Sequence, residues 1–253
     1  MTSASLARVP YLNSVPFFRG LSVDERWTFT DGVPRAVGAM AASGEIVAGL
    51  LPLADYFRLQ DHFERLGHFG IAVRGRARSA VLFARKPLRQ LDGTAIAVSE
   101  ESSTTARLLR LLLEQRYHVT PASYAAQRSD ADALLLIGDE ALRFQQTNAE
   151  YPYEVDVAFE WWLWQHLPCV FAVWAIRKDV SAEEKKSLER SVAKSLAVNL
   201  AQLEAIAQDA TTPFGLPAQD IVTYLSAFTY RFGSSEEEAI ARFQALLHEH
   251  HLL

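Results

Sequence analysis

The sequence predicts an α/β protein of two lobes, the second inserted into the first, with a cleft between them. Three observations carry that expectation. Over the first sixty residues, short apolar runs alternate with helical segments in the order βαβαβα, the pattern of a parallel sheet with right-handed crossovers. A second βα unit begins near Thr94, after an intervening pair of strands. No flexible linker or shift of composition separates these units, so the passages between lobes must fall at strands, near Ala84 to Pro87 and near Trp174 to Lys178. Residues 1–86 and 175–253 then form lobe I, and residues 87–174 form lobe II.

In chain order, Ala7 to Val9 read as a short strand, and the stretch PYLNSVPFFRGL from Pro10 to Leu21 as a turn into a helix. Pro10 and Pro16 restrict the backbone on either side, and Pro16 suits the first turn of a helix carrying Phe17, Phe18 and Leu21. Tyr11, Asn13 and Ser14 thus sit at a strand's carboxyl end, where open α/β sheets bind ligands beside helix amino termini. The same residue types also build ordinary turns and caps. WTFTD, Trp27 to Asp31, alternates as a strand, and a helix follows with Pro34 placed to start it and Gly44 to stop it. The run from Ile46 to Pro52 is a buried parallel strand by composition, and Leu53 to Leu59 a short helix.

From Phe69 to Arg85 two apolar runs flank Arg74, Gly75, Arg76 and Arg78, giving a pair of strands around a basic turn. A strand from Thr94 to Ser99 leads into a hydroxyl-rich loop and a helix from about Thr104 to Tyr117. Ser102, Ser103, Thr104 and Thr105 stand beside the unpaired amides of that helix, a seat for a carboxylate or phosphate, although one of them alone makes an N-cap. A buried strand ending at Ile137 places Gly138 and Asp139 at the same crevice. There Gly138 permits close backbone approach, and Asp139 most simply caps the next helix. Trp161, Trp162 and Trp164 are expected to pack a helix between lobes, and Cys169 to Ile176 to form a buried strand. From Ser181 the chain reads as helical. Ser181 and Glu184 form a capping box, and Leu188, Val192, Leu196, Leu200 and Leu203 share one face of a covering helix. Ile221 to Ala227 and Ser235 to His250 are further helices, with Phe243, Leu246 and Leu247 inward in the last. In this arrangement Asn13, Ser102 to Thr105, and Gly138 to Asp139 converge on the cleft from opposite walls.

Composition narrows the function. Of 253 residues, 49% are hydrophobic and 22% charged, and the net charge of −5 with no basic run among aromatics argues against nucleic acid as a partner. The start of the chain lacks a signal-peptide core and no apolar stretch reaches membrane-spanning length, so a cytoplasmic protein without membrane association is expected. A single cysteine, Cys169, excludes an internal disulfide and reads as a core residue. The terminal HEHHLL has three histidines but no rigid surroundings to hold a metal, so no metal site is expected.

Taken in order and spacing, PYLNSVPF, GEIVAGLLP, RSAVLFARKPL, SSTTARLLRLLL, ALLLIGDEALR and LPCVFAVWAIR resemble the chorismate dehydratase family of the futalosine route to menaquinone, over about the first 180 residues. The resemblance implies a two-lobed fold like the type II periplasmic solute-binding proteins, used as an enzyme, with no metal or organic cofactor. It implies dehydration of chorismate to 3-[(1-carboxyvinyl)oxy]benzoate. The sister enzyme that forms 1,4-dihydroxy-6-naphthoate looks different, opening with a Cys-Pro-Asn-Asp type motif and carrying a His-Glu pair near the place of Gly138 and Asp139. Pro10 and Leu53 depart from the family's usual small residue and serine.

Under that resemblance, Ser102, Ser103 and Thr104 with the helix amides seat one carboxylate, Tyr11, Ser14, Thr105 and Gly138 line the site, and Ser79 faces the cleft. Asn13 is the catalytic candidate, holding the leaving hydroxyl or the second carboxylate. The first wall offers no base near neutrality, so the substrate's own enolpyruvyl carboxylate is expected to take the proton, with Asp139 as the protein alternative. A solute-binding or sensory module of the same fold is the rival class. The first normally carries an export signal and the second a helix-turn-helix domain, and the sequence shows neither.

Overall fold

A computed structural model describes residues 4–125 and 131–253. Residues 1–3 and 126–130, which the sequence assigns to lobes I and II, lie outside the described residues. The first unit runs β1 (Ala4–Arg8), a 3-10 turn (Leu12–Ser14), α1 (Val15–Phe18), β2 (Trp27–Asp31), α2 (Pro34–Ser43), β3 (Ala48–Pro52), α3 (Leu53–Leu59) and β4 (Phe63–Val73). Then follow β5 (Ala80–Ala84), β6 (Ala95–Val98), α4 (Thr104–Leu111) prolonged by a π-turn to Arg116, β7 (Ser123–Ala125), β8 (Ala133–Ile137), α5 (Gly138–Thr147), β9 (Tyr153–Asp156) and α6 (Val157–Gln165). The chain closes with β10 (Cys169–Arg177), α7 (Ala182–Leu200), α8 (Leu203–Phe214), α9 (Ala218–Ser226), β11 (Phe228–Arg231) and α10 (Ser234–Glu249).

Local chemistry explains many of these bounds. Pro34 opens α2, and Gly44 ends it in the left-handed conformation at φ +79°, where a side chain would be strained. Ser181 and Glu184 cap α7 reciprocally. Helix α1 is shorter than expected, because Gly20 at φ +66° turns the chain before Leu21, which is still buried.

Two sheets form, in the orders β11-β4-β10-β3-β1-β2 and β7-β6-β8-β5-β9. In the first, β2, β1 and β3 are parallel, and β10 enters antiparallel between β3 and β4. The second repeats the plan: β7, β6 and β8 are parallel, and β5 enters antiparallel between β8 and β9. Each inserted strand is the first one after the chain changes sheet, so the two sheets share one topology apart from the edge strand β11.

That membership corrects the expected crossings. The chain leaves the first sheet after Val73 and rejoins it at Cys169, ahead of Ala84–Pro87 and Trp174–Lys178. The strands flanking the basic turn exist, but β4 pairs with β10 and β11, whereas β5 pairs with β8 and β9. Both apolar runs are fully buried from Phe69 to Val73 and from Ala80 to Ala84, and burial alone does not reveal that they serve different cores. The two passages are stapled together: Arg74 lies 4.8 Å from the Trp162 ring centre, Arg76 lies 4.5 Å from that of Phe159, and the Arg78 amide donates to Asp156 at 2.7 Å. Trp161 is buried in α6, its indole donating to Pro168 O at 3.0 Å and packing on Phe243.

The trailing helices cover the first sheet. Leu188, Val192, Leu196, Phe243, Leu246 and Leu247 are buried as expected, but Leu200 is 40% exposed. Its neighbour Asn199 is the buried one, donating to Pro16 O at 3.1 Å and Arg19 O at 2.7 Å and so fastening α7 to the end of α1. Strand β11, unforeseen, is four residues at a sheet edge between two helices, too short to show a period. Cys169 is buried in the core. Among the described residues no helix is long and apolar enough to cross a membrane.

Candidate functional site

The opening motif folds as a tight turn that leaves one polar side chain free. Tyr11 is extended, the Ser14 amide donates to Tyr11 O at 3.0 Å, and the Ser14 hydroxyl bonds Val9 O and, at 2.8 Å, Tyr11 O. Ser14 is therefore spent on the turn and is not a lining residue, contrary to the sequence expectation. Asn13, in the middle of the turn, is half-exposed into the cleft, and its amide has no protein hydrogen bond among the described residues.

The cleft holds about 570 Å³ of atom-free space, part of it open to solvent. Its polar lining is Tyr11, Asn13, Ser79, Ser103, Thr104 and Thr105; Leu50, Ile71, Ile137 and Phe171 supply much of the apolar wall. Strand ends of the first sheet thus face the start of α4 and the crossing before β5, the convergence that the sequence motifs imply. Among the described residues no lysine, arginine, histidine or carboxylate lines this space. Positive character comes instead from the amides and dipole of α4. Behind the loop, Arg35 Nε donates to Ser102 O at 3.1 Å, and Arg107 Nη1 reaches both the carbonyl and the hydroxyl of Ser103 at 3.2 Å.

The four hydroxyls after β6 divide by partner. Ser102 is wholly buried, its Oγ accepts from the Ala106 amide in the first turn of α4 at 3.0 Å, and it does not line the cavity, contrary to the sequence expectation. Thr104 lines the cavity while accepting from the Ala54 amide, at 3.2 Å, across the two lobes. Ser103 and Thr105 line it with hydroxyls that no backbone amide engages among the described residues.

Gly138 and Asp139 act on Tyr11 and its turn. At Gly138, φ is +60° and a Cβ would lie 2.6 Å from the Tyr11 ring, so the glycine makes room for a side chain of the opposite lobe. Its amide donates to Ser79 O at 2.8 Å. Asp139 does not cap α5: its Oδ1 accepts from the Leu12 amide at 2.9 Å, and its side chain faces a separate groove with Arg19 and Asp209. Burial raises its carboxyl to about 6, against the lowering effect of that amide and of Arg143. The Tyr11 phenol donates to Glu101, and burial first, then Glu101, hold it far above the usual phenol range. Glu101, which sequence reading missed, also receives the Arg35 amide on its backbone carbonyl at 3.0 Å. Tyr11, Leu12, Arg35 and Ala54 on one lobe meet Glu101, Ser102, Thr104 and Asp139 on the other, so hydrogen bonds tie the lobes together across the cleft.

Ser79 has a second unforeseen partner: the buried Tyr224 of α9 donates to its Oγ at 2.9 Å. No local pattern in the sequence joins residues 145 positions apart.

Comparison with known proteins agrees with this architecture. A chorismate dehydratase of Thermus thermophilus is 29% identical over 94% of this chain and 92% of its own length. A 1,4-dihydroxy-6-naphtoate synthase of the same organism is 27% identical over 81% of this chain and 77% of its own. Among solved structures, a protein of Archaeoglobus fulgidus superposes with a TM-score of 0.80 at 20% identity, covering 99% of this chain and 98% of that one. The periplasmic aliphatic sulphonate binding protein SsuA of Escherichia coli superposes at 0.61 and 13% identity, covering 100% and 89%. The fold is the two-lobed type II fold of periplasmic binding proteins. The model of the menaquinone-biosynthesis family matches residues 4–249, and the chain belongs to that family.

Proposed function

We propose that the chain is a chorismate dehydratase, a hydro-lyase that converts chorismate to 3-[(1-carboxyvinyl)oxy]benzoate and water. Family membership supports a step of menaquinone biosynthesis, and the dehydratase relative is matched over more of the chain than the naphthoate-forming one. The observation that carries the reading is the lining itself: an unengaged amide, Asn13, faces hydroxyls and helix amides across a cavity with no ionised side chain among the described residues. Such a site holds a carboxylate by oriented neutral donors and leaves the substrate's own charges as its only acid–base groups.

The reaction breaks the C–H bond at the ether-bearing ring carbon, uses that electron pair for the new ring double bond, and expels the neighbouring hydroxyl. Proton and hydroxide leave together as water, and aromatisation drives the step. Ser103, Thr104 and Thr105 with the first-turn amides of α4 seat one carboxylate, and Asn13 holds the leaving hydroxyl or the second carboxylate. Ser79 donates from the crossing before β5. Asp139 lies behind Tyr11, in the neighbouring groove, which favours the enolpyruvyl carboxylate as the base. The futalosine route and a cytoplasmic location belong to the same proposal.

The test is turnover by purified, chelator-treated protein, with product mass equal to chorismate less one water. Pyruvate release with 4-hydroxybenzoate, or turnover of a futalosine-derived nucleoside with chorismate inert, refutes it; tight binding without turnover points to a sensor.

A further inference from the structure

Ser79 lines the cavity, yet its hydroxyl is bonded from outside it by Tyr224. We propose that Tyr224 is a positioning residue, whose phenol donates to Ser79 Oγ and thereby turns the Ser79 proton toward the substrate. The proposal rests on the dehydratase reading and adds to it a residue beyond the stretch that carries the sequence resemblance.

The hydrogen-bond arithmetic is short. A serine hydroxyl has one proton to give and two lone pairs to accept with. The Tyr224 phenol, 2.9 Å away and 3% exposed, occupies one lone pair as a donor. Burial holds that phenol far above its ordinary range, so it keeps its proton throughout the working pH. With the phenol as donor, the Ser79 proton has two directions left. One is Ala77 O at 3.4 Å, beyond the usual span of an O–H···O bond; the other is the cavity that Ser79 lines. A substrate carboxylate or hydroxyl oxygen in the cavity is the better acceptor. The phenol is itself held rigidly, with the Tyr224 and Phe228 rings edge to face at 5.1 Å. Opposite, Arg107 Nη1 reaches Ser103 Oγ from behind in the same sense, so both lining serines are approached by an outer donor.

The experiment is a double-mutant cycle on chorismate turnover, with Tyr224→Phe, Ser79→Ala and the pair, each checked for folding by thermal melt. Tyr224→Phe should lower kcat/KM about five- to tenfold, the scale of one oriented hydrogen bond. In the Ser79→Ala background the same change should alter kcat/KM less than about twofold, since the proton it orients is gone. Equal losses in both backgrounds would mean that Tyr224 acts through packing, and no loss in either would mean that it does not orient Ser79; both overturn the proposal. If wild-type protein binds chorismate without converting it, the dehydratase reading falls, and the same cycle read as dissociation constants still decides on Tyr224. A wild type that neither binds nor converts chorismate removes both.

Discussion

Replacing Asp139 by asparagine separates its two candidate roles, as an acid–base group and as a tie between lobes. Burial raises its carboxyl from 3.8 to about 6, so the folded state prefers the protonated form more than the unfolded chain does. The sign follows from linkage. A raised carboxyl contributes stability that is complete below about pH 4 and is lost as pH rises through about 6, because the native state must then hold a desolvated charge. At 1.36 kcal/mol per pKa unit the loss across that window is of order 2–3 kcal/mol. The asparagine side chain of Asp139→Asn keeps a carbonyl to accept the Leu12 amide and never ionises. The difference in unfolding free energy, variant minus wild type, should therefore grow by about 2–3 kcal/mol between pH 4 and pH 7. Urea titrations at half-unit pH steps measure it, and the subtraction cancels the other titrating groups. A flat difference, or one that grows toward acid, would refute the reasoning. Turnover gives the second readout: with Asp139 behind Tyr11, Asp139→Asn should keep kcat within about tenfold, whereas a general base removed costs about 10²–10⁴.

The remaining tests address the cavity wall. Asn13→Ala should lower turnover at least about 100-fold while shifting stability by under about 1 kcal/mol, since the amide bonds no protein group among the described residues; near-wild-type turnover removes it from the mechanism. Ser103→Ala should weaken chorismate binding by roughly 10- to 150-fold, the worth of a hydrogen bond to a charged group, measured as KM or by calorimetry. Ser102→Ala, by contrast, should cost about 1 kcal/mol of stability, the scale of one hydrogen bond to a backbone amide, and leave KM unchanged; a raised KM would return Ser102 to the site. Gly138→Ala places a methyl against the Tyr11 ring in a left-handed backbone, so KM should rise at least about tenfold with about 1–2 kcal/mol of destabilisation; unchanged KM would show that Tyr11 does not need that space.

Which parts of this molecule the sequence displays follows from the range of the interactions that make them. Pro34 and Gly44 bound α2, Ser181 and Glu184 start α7, and Trp27 to Asp31 alternate as β2, each through contacts within a few residues. The sheet change at Arg74 to Ser79 was not readable, because a buried apolar run has the same composition whether it pairs with its neighbour or with a strand far along the chain. Site chemistry obeys the same division. Ser14, Ser102, Ser103 and Thr105 are alike as residues at a strand end or a helix start, and a hydroxyl that caps uses the same atoms as one that binds. What separates them is whether the oxygen already has a partner: Ser14 and Ser102 bond the backbone of their own turn, whereas Ser103 and Thr105 leave theirs to the cavity or to Arg107. Glu101 and Tyr224 were invisible for the converse reason, since each acquires meaning only through a residue 90 or 145 positions away. Closure of the lobes therefore selects, from a surplus of polar residues at the strand ends, the few whose hydrogen-bonding capacity remains for a ligand.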